Sequence, residues 1–162
     1  MPYWIRSVTP EDLEAVTAVE QVCFPSSEAA SREAFQARIS TFPASFFVAQ
    51  ADDQVVGLIN GCCTTTPCLS DALYAPGCPH KDTYPWQTVL GLAVLPDFQH
   101  QGIAKALMYR LIAHCQQQNK AGIILTCKQE KIGFYEYFGF LCHGKSASSH
   151  GGAVWYDMVL NL

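Results

Sequence analysis

The stretch Gln87–Leu95 followed by PDFQHQG and then IAKALMYRLIAHC constrains this chain more than any other. Gln87–Leu95 (QTVLGLAVL) is a nearly continuous apolar run, which predicts a central strand covered on both faces. Ile103, Leu107, Leu111 and Cys115 then recur every four residues, the period of a helix with one buried face. Between them Gln99-His100-Gln101-Gly102 must turn the chain from strand to helix. The turn lacks the lysine and hydroxyl of a P-loop and the three glycines of a dinucleotide fingerprint. It still has the makings of an anion site. The first amides of a helix have no intrahelical partners and sit at the positive end of its dipole. Gly102 would let a ligand approach the backbone closely. An ordinary strand–helix connection is the alternative.

The rest of the chain alternates strands and helices. Tyr3–Val8 reads as a strand. Thr9-Pro10-Glu11-Asp12 is a helix start, with Leu13, Val16, Val19 and Val22 facing inward until Phe24-Pro25. Ser31 caps a second helix to about Thr41. Ser45–Gln50 and Val55–Thr64 form a hairpin across Asp52-Asp53, and Gly57 and Gly61 mark irregularity or close backbone approach. Residues 65–85 form a long loop without period, a lid candidate. Ile123–Thr126 is a buried strand, Lys131–Phe138 a short helix ended by Gly139, and Phe140–Cys142 and Ala153–Leu160 a closing pair. With hairpins at both ends, the expectation is one α/β domain over residues 1–162. Its mixed central sheet would hold about seven strands flanked by about four helices.

Composition narrows the partners. The net charge of −4 disfavours nucleic acid and suits a cationic small substrate. No segment is apolar for long enough to span a membrane, and the N-terminus lacks a signal-peptide pattern. A soluble cytoplasmic protein is therefore expected. The eight cysteines sit largely within strand and helix patterns, as reduced, buried thiols. Cys63, Cys68, Cys78 and His80 lack the paired spacing of a zinc site, so no metal is expected.

Two motifs carry a resemblance. Gln99-x-x-Gly102-x-Ala104, directly after Leu92-Ala93-Val94, resembles the acetyl-CoA signature of the GCN5-related N-acetyltransferases. Gly133-Phe134-Tyr135-Glu136-Tyr137-Phe138-Gly139-Phe140 resembles that superfamily's C-terminal aromatic helix. Order and spacing match over essentially the whole chain. Leu125-Thr126-Cys127-Lys128-Gln129-Glu130 and Phe24-Pro25-Ser26-Ser27-Glu28 look closest to the arylalkylamine branch, which includes serotonin N-acetyltransferase.

The resemblance implies direct acetyl transfer from acetyl-CoA to the primary amine of a small molecule, with an arylalkylamine as one acceptor class. It implies a monomer or homodimer. Leu92, Ala93 and Val94 would pair with the pantetheine arm, and the Leu92 amide would face the oxyanion. Gln99, His100, Gln101, Gly102, Ile103, Ala104 and Lys105 would wrap the pyrophosphate, and Phe134 would flank the coenzyme. Tyr135 would protonate the leaving sulfur. The histidine pair of the serotonin enzyme is replaced here by Thr88 and Leu90, so a carboxylate, Glu28, is the candidate base. Phe24, Tyr74, Tyr84 and Trp86, with Thr88 and Leu90, are candidates for the acceptor pocket. A protein N-terminal or lysine acetyltransferase and a non-catalytic acyl-CoA sensor are the competing readings.

Overall fold

The computed structural model describes residues 2–162. It contains four helices and nine strands in two sheets among the described residues. The chain begins with β1 (Trp4–Ser7), α1 (Leu13–Cys23) and α2 (Arg32–Thr41). The strands β2 (Phe46–Ala51), β3 (Gln54–Asn60) and β4 (Cys63–Thr64) follow. After the long loop come β5 (Trp86–Val89), β6 (Gly91–Val94) and α3 (Ile103–Gln117). The chain closes with β7 (Gly122–Cys127), α4 (Ile132–Glu136), β8 (Leu141–Lys145) and β9 (Tyr156–Asn161).

Local sequence explains the helix starts. Thr9 and Asp12 form a capping box, and Asp12 also receives both terminal nitrogens of Arg6 at 2.8 Å. The residues between them turn as a short 3-10 segment before α1. The Ser31 hydroxyl accepts from the Ala34 amide at 3.1 Å and caps α2.

One sheet, ordered β1-β2-β3-β6, is antiparallel throughout. The other, ordered β4-β5-β7-β9-β8, is mixed, with β5 and β7 parallel. Helix α3 lays Ile103, Leu107, Leu111 and Cys115 into a core that includes Phe47, Val94, Ile123 and Phe140. On the opposite face, Val16 and Val19 of α1 pack with Phe35 and Ile39 of α2 against Val48 and Leu58. Helices thus cover both faces, as the apolar run 87–95 requires.

Two expected strands are each broken in the structure. The run 87–95 pairs with β7 as far as Val89, then changes sheets at Leu90 and pairs with β3. The run 55–64 is interrupted at Gly61, opposite that break. The Gln87 side chain, fully buried, secures the crossover by donating to Gly61 O at 2.7 Å and Thr88 O at 2.8 Å. The expected single sheet is therefore two sheets that share one chain segment and splay apart beyond it. No helix among the described residues is long and apolar enough to cross a membrane.

Candidate active site

The splay opens a cleft of about 760 Å³ between β6 and β7. One wall is the outer edge of β6. The Leu95 amide donates to Val56 O at 2.8 Å, toward β3. Alternation along an antiparallel pair then turns the peptide groups of Leu92 and Val94 the other way, into the cleft. The Val94 carbonyl accordingly accepts from Gln99 Nε2 at 2.9 Å and from Cys23 Sγ at 3.3 Å. The Leu92 amide lies on the same side, with no strand beside it.

Beyond β6 the turn into α3 leaves backbone amides without helical partners. His100 and Gly102 both adopt left-handed φ, +62° and +85°. A Cβ at Gly102 would meet only Tyr3 Oη, at 4.0 Å, so the glycine answers to conformation and not to crowding. The first bond of α3 runs from the Ala106 amide to Gly102 O. The Ile103, Ala104 and Lys105 amides are thus left without helical partners, and no side chain caps them. Lys105 Nζ sits 4.3 Å from the Tyr137 ring centroid at the rim.

The opposite wall comes from β7 and α4. Tyr135 stands edge-on to Phe134 (5.1 Å) and Phe140 (5.8 Å). Burial raises its phenol pKa far above the usual tyrosine value, so it stays protonated at all physiological pH. Glu28 Oε2 pairs with Lys128 Nζ at 2.9 Å, while its Oε1 is buried without a partner.

The structure brings most of the expected residues together. Leu92, Ala93, Val94, Gln99, His100, Gly102, Ile103, Ala104, Lys105, Phe134 and Tyr135 line the cleft with Phe24, Glu28, Tyr74 and Leu90. Gln101 is exposed beside the cradle and does not line it. Three acceptor-pocket candidates lie elsewhere. Trp86 fills the space beside Gly122, where a Cβ would stand 2.4 Å from its ring. Thr88 is fully buried and donates to Cys62 O at 2.9 Å. The Tyr84 carbonyl accepts from Lys120, and its ring lies 5.9 Å from Lys81 Nζ. All three belong to β5 or the segment leading into it, on the paired side of the break at Leu90.

Three groups that close the cleft beside the expected Tyr74 were not anticipated from the sequence: His150, Trp155 and Thr126. Tyr74 stacks on His150 with centroids 4.9 Å apart. His150 Nε2 lies 3.0 Å from the Glu28 carbonyl, and Trp155 Nε1 donates to His150 O at 2.8 Å. Thr126 meets Tyr74 Oη at 3.3 Å. The β8–β9 connection is thereby pinned across one end of the cleft. His80 is occupied otherwise: its Nδ1 accepts from the Cys63 amide and its Nε2 pairs with Asp82. No group of three or more metal-ligating side chains occurs among the described residues.

Residues 43–141 match the profile of the Acetyltransferase (GNAT) domain family. The chain belongs to the GNAT family. An N-acetyltransferase of uncharacterized role, ycf52 of Porphyra purpurea, is 32% identical over 69 residues, 43% of this GNAT chain. That stretch spans only 38% of the Porphyra purpurea protein's length. A GNAT-like decarboxylase, GphF, solved with isobutyryl-CoA, superposes with a TM-score of 0.85 at 18% identity over 98% of both chains. Arabidopsis thaliana Naa50, solved with the bisubstrate analogue CoA-Ac-MVNAL, gives 0.74 at 19% over the whole of both. At such identities the likeness establishes the GNAT fold alone.

Proposed function

We propose that this GNAT protein transfers acetyl from acetyl-CoA to the primary amine of a small molecule, with both substrates bound together. One observation carries the reading: the free edge of β6 runs directly into the bare N-terminus of α3. A pantetheine arm adds to Leu92–Val94 as an extra strand. Its pyrophosphate then meets the amides of the turn from His100 to Lys105, Gln101 included. That register puts the thioester carbonyl beside the Leu92 amide, which donates to the oxyanion as it forms. Phe134 flanks the arm.

The chemistry follows from proton inventories. An alkylammonium has a pKa of about 10, as lysine has, and must lose a proton before it attacks. A cleft carboxylate takes that proton; Glu28 is the candidate the sequence marks. The amine nitrogen bonds to the carbonyl carbon, the oxyanion collapses, and the C–S bond breaks with its electrons on sulfur. The second nitrogen proton ends on that sulfur. The Tyr135 phenol is always protonated, and it hydrogen-bonds the leaving thiolate and relays this proton.

The small acceptor is favoured because Tyr74, His150 and Trp155 are bonded across the acceptor end. Phe24, Tyr74 and Trp155 offer aromatic faces and the cleft carboxylates offer negative charge, which suits an arylalkylamine. A peptide acceptor, of the kind present in the Naa50 complex, would have to displace that segment. Thiol release from acetyl-CoA tests the reading across tryptamine, phenethylamine, spermidine, free amino acids and short peptides. Turnover with aryl amines is the expected result. Turnover with peptides alone would move the protein to the N-terminal or lysine acetyltransferases. Acetyl-CoA binding with no turnover on any of them would leave a sensor.

A further inference from the structure

A recess of about 230 Å³ adjoins the cleft and shares Glu20, Glu28, Tyr74, Leu90 and His150 with it. Glu20, on the inner face of α1, is only 4% exposed. Its Oε2 accepts from the Ala30 amide at 2.9 Å, but its Oε1 is buried and bonded to nothing. The Nδ2 of Asn60, a fully buried residue of β3, is bare as well. Asn60 Oδ1 accepts from Arg38 at 3.1 Å, which fixes the amide so that Nδ2 points away from the arginine. The two orphan atoms flank one spot. A Cβ added to Gly91 would lie 3.4 Å from Asn60 Nδ2 and 3.6 Å from Glu20 Oε1. A buried polar atom without a partner is costly, and Glu20, which lines both the cleft and the recess, brings such an atom to them.

Gly91 immediately precedes Leu92, whose amide faces the thioester carbonyl in the proposed reading. We infer that Glu20 is the catalytic residue that receives the amine's proton, with Asn60 as the positioning residue beside it. The inference rests on the acetyl-transfer reading above and replaces Glu28 in one role. Glu28 Oε2 is already engaged by Lys128 Nζ at 2.9 Å. Its Cγ is also packed beneath Gly151, where a Cβ would come within 2.6 Å. Glu20 has no cation within ion-pair distance among the described residues. Arg38 of α2, Cys23 of α1, His150 of the β8–β9 connection, and Glu28 and Tyr74 across the recess are the charged or titratable groups around it. Burial outweighs the Ala30 hydrogen bond and the pull of Arg38 and His150, and raises the Glu20 pKa above the carboxylate norm. A base moved toward working pH is the more effective one.

The step balances. One N–H proton of the ammonium passes to Glu20 Oε1, giving the neutral amine. Attack forms the C–N bond and departure of the thiolate breaks the C–S bond. The second nitrogen proton ends on sulfur, and Glu20 returns the first to water.

The test compares wild type, Glu20→Gln, Glu20→Asp and Glu28→Gln with the best amine of the panel. Wild-type kcat/KM should fall in acid along a limb above the ordinary carboxylate range. Glu20→Gln should lose that limb and about 100-fold in rate, with acetyl-CoA affinity and thermal melting unchanged. Glu20→Asp should recover the limb at reduced rate, and Glu28→Gln should keep it. A Glu20→Gln protein with the wild-type limb and rate would overturn the assignment. If wild type turns over no amine, the acetyl-transfer reading fails by itself. Glu20 is then judged on tryptamine binding to the CoA-saturated protein. Weakening of about tenfold or more in Glu20→Gln supports a role in holding the amine, and equal binding overturns it.

Discussion

Gly61 lies flat against the carbonyl of Thr88: a Cβ at position 61 would stand 1.8 Å from Thr88 O and 2.5 Å from its carbon. This contact locks the interruption of one strand against the crossover of the other, where the sheets part. Backbone cannot rotate away as a side chain does. Gly61→Ala should therefore cost at least about 2 kcal/mol, beyond the ordinary penalty of a surface substitution. Urea denaturation reads the loss directly. An unchanged midpoint would mean that the sheets part without this contact.

Tyr135→Phe removes one hydroxyl and leaves the edge-on ring packing with Phe134 and Phe140 intact. The expected result is a fall in kcat of about 100-fold with acetyl-CoA affinity unchanged. Pre-steady-state thiol release, with binding measured separately, distinguishes this from a loss of coenzyme. A variant at wild-type rate would show that the thiolate leaves unaided.

Gly102→Val places a β-branched residue at φ +85°, which costs of order 1–3 kcal/mol where that φ is kept. The space around it is open, so the fold should survive and the turn should reshape. KM for acetyl-CoA should rise about tenfold or more. KM for acetyl-pantetheine, which has no pyrophosphate, should hold. Equal losses on both substrates would place the defect outside the cradle.

Asp12 links β1 to the start of α1 through Arg6 and Thr9. Those partners hold its carboxyl below the ordinary aspartate value. A depressed pKa contributes stability that is complete above the unfolded-state pKa of about 4 and is lost as pH falls through the folded-state value. Asp12→Asn should therefore cost about 2 kcal/mol near neutrality. The gap between variant and wild type should close progressively below about pH 4. Melting curves at several pH values report it, and a constant gap would reject the linkage.

The turn into α3 was legible because its demands are local. His100 and Gly102 sit where the chain must turn, and the four-residue spacing of Ile103, Leu107, Leu111 and Cys115 fixes the helix that follows. The crossover at Leu90 was not legible. An apolar run suits one long strand as well as two short ones, and only the polar Gln87 at its head marked the site of the break. Tyr84 and Trp86 were misplaced for the same reason, since which side of β5 they serve depends on where that break falls. His150 and Trp155 lie in SASSHGGAVW, which has no period to read. Glu20 stands among the inward residues of α1, where the pattern gave no sign that a carboxylate would find its second oxygen bare.

The proposed coenzyme cradle comes from one short contiguous piece of chain, Leu92 to Lys105. The chamber beyond it is assembled from segments around residues 20–28, 74 and 150–155, each far from the others in sequence. Drift in any one of those segments alters what the chamber admits and leaves the donor half untouched. On the proposed acetyl-transfer function, acceptor choice is consequently a tunable trait: transplanting the 146–155 connection or the 65–85 loop should redirect the acyl group to new recipients while its source stays the same.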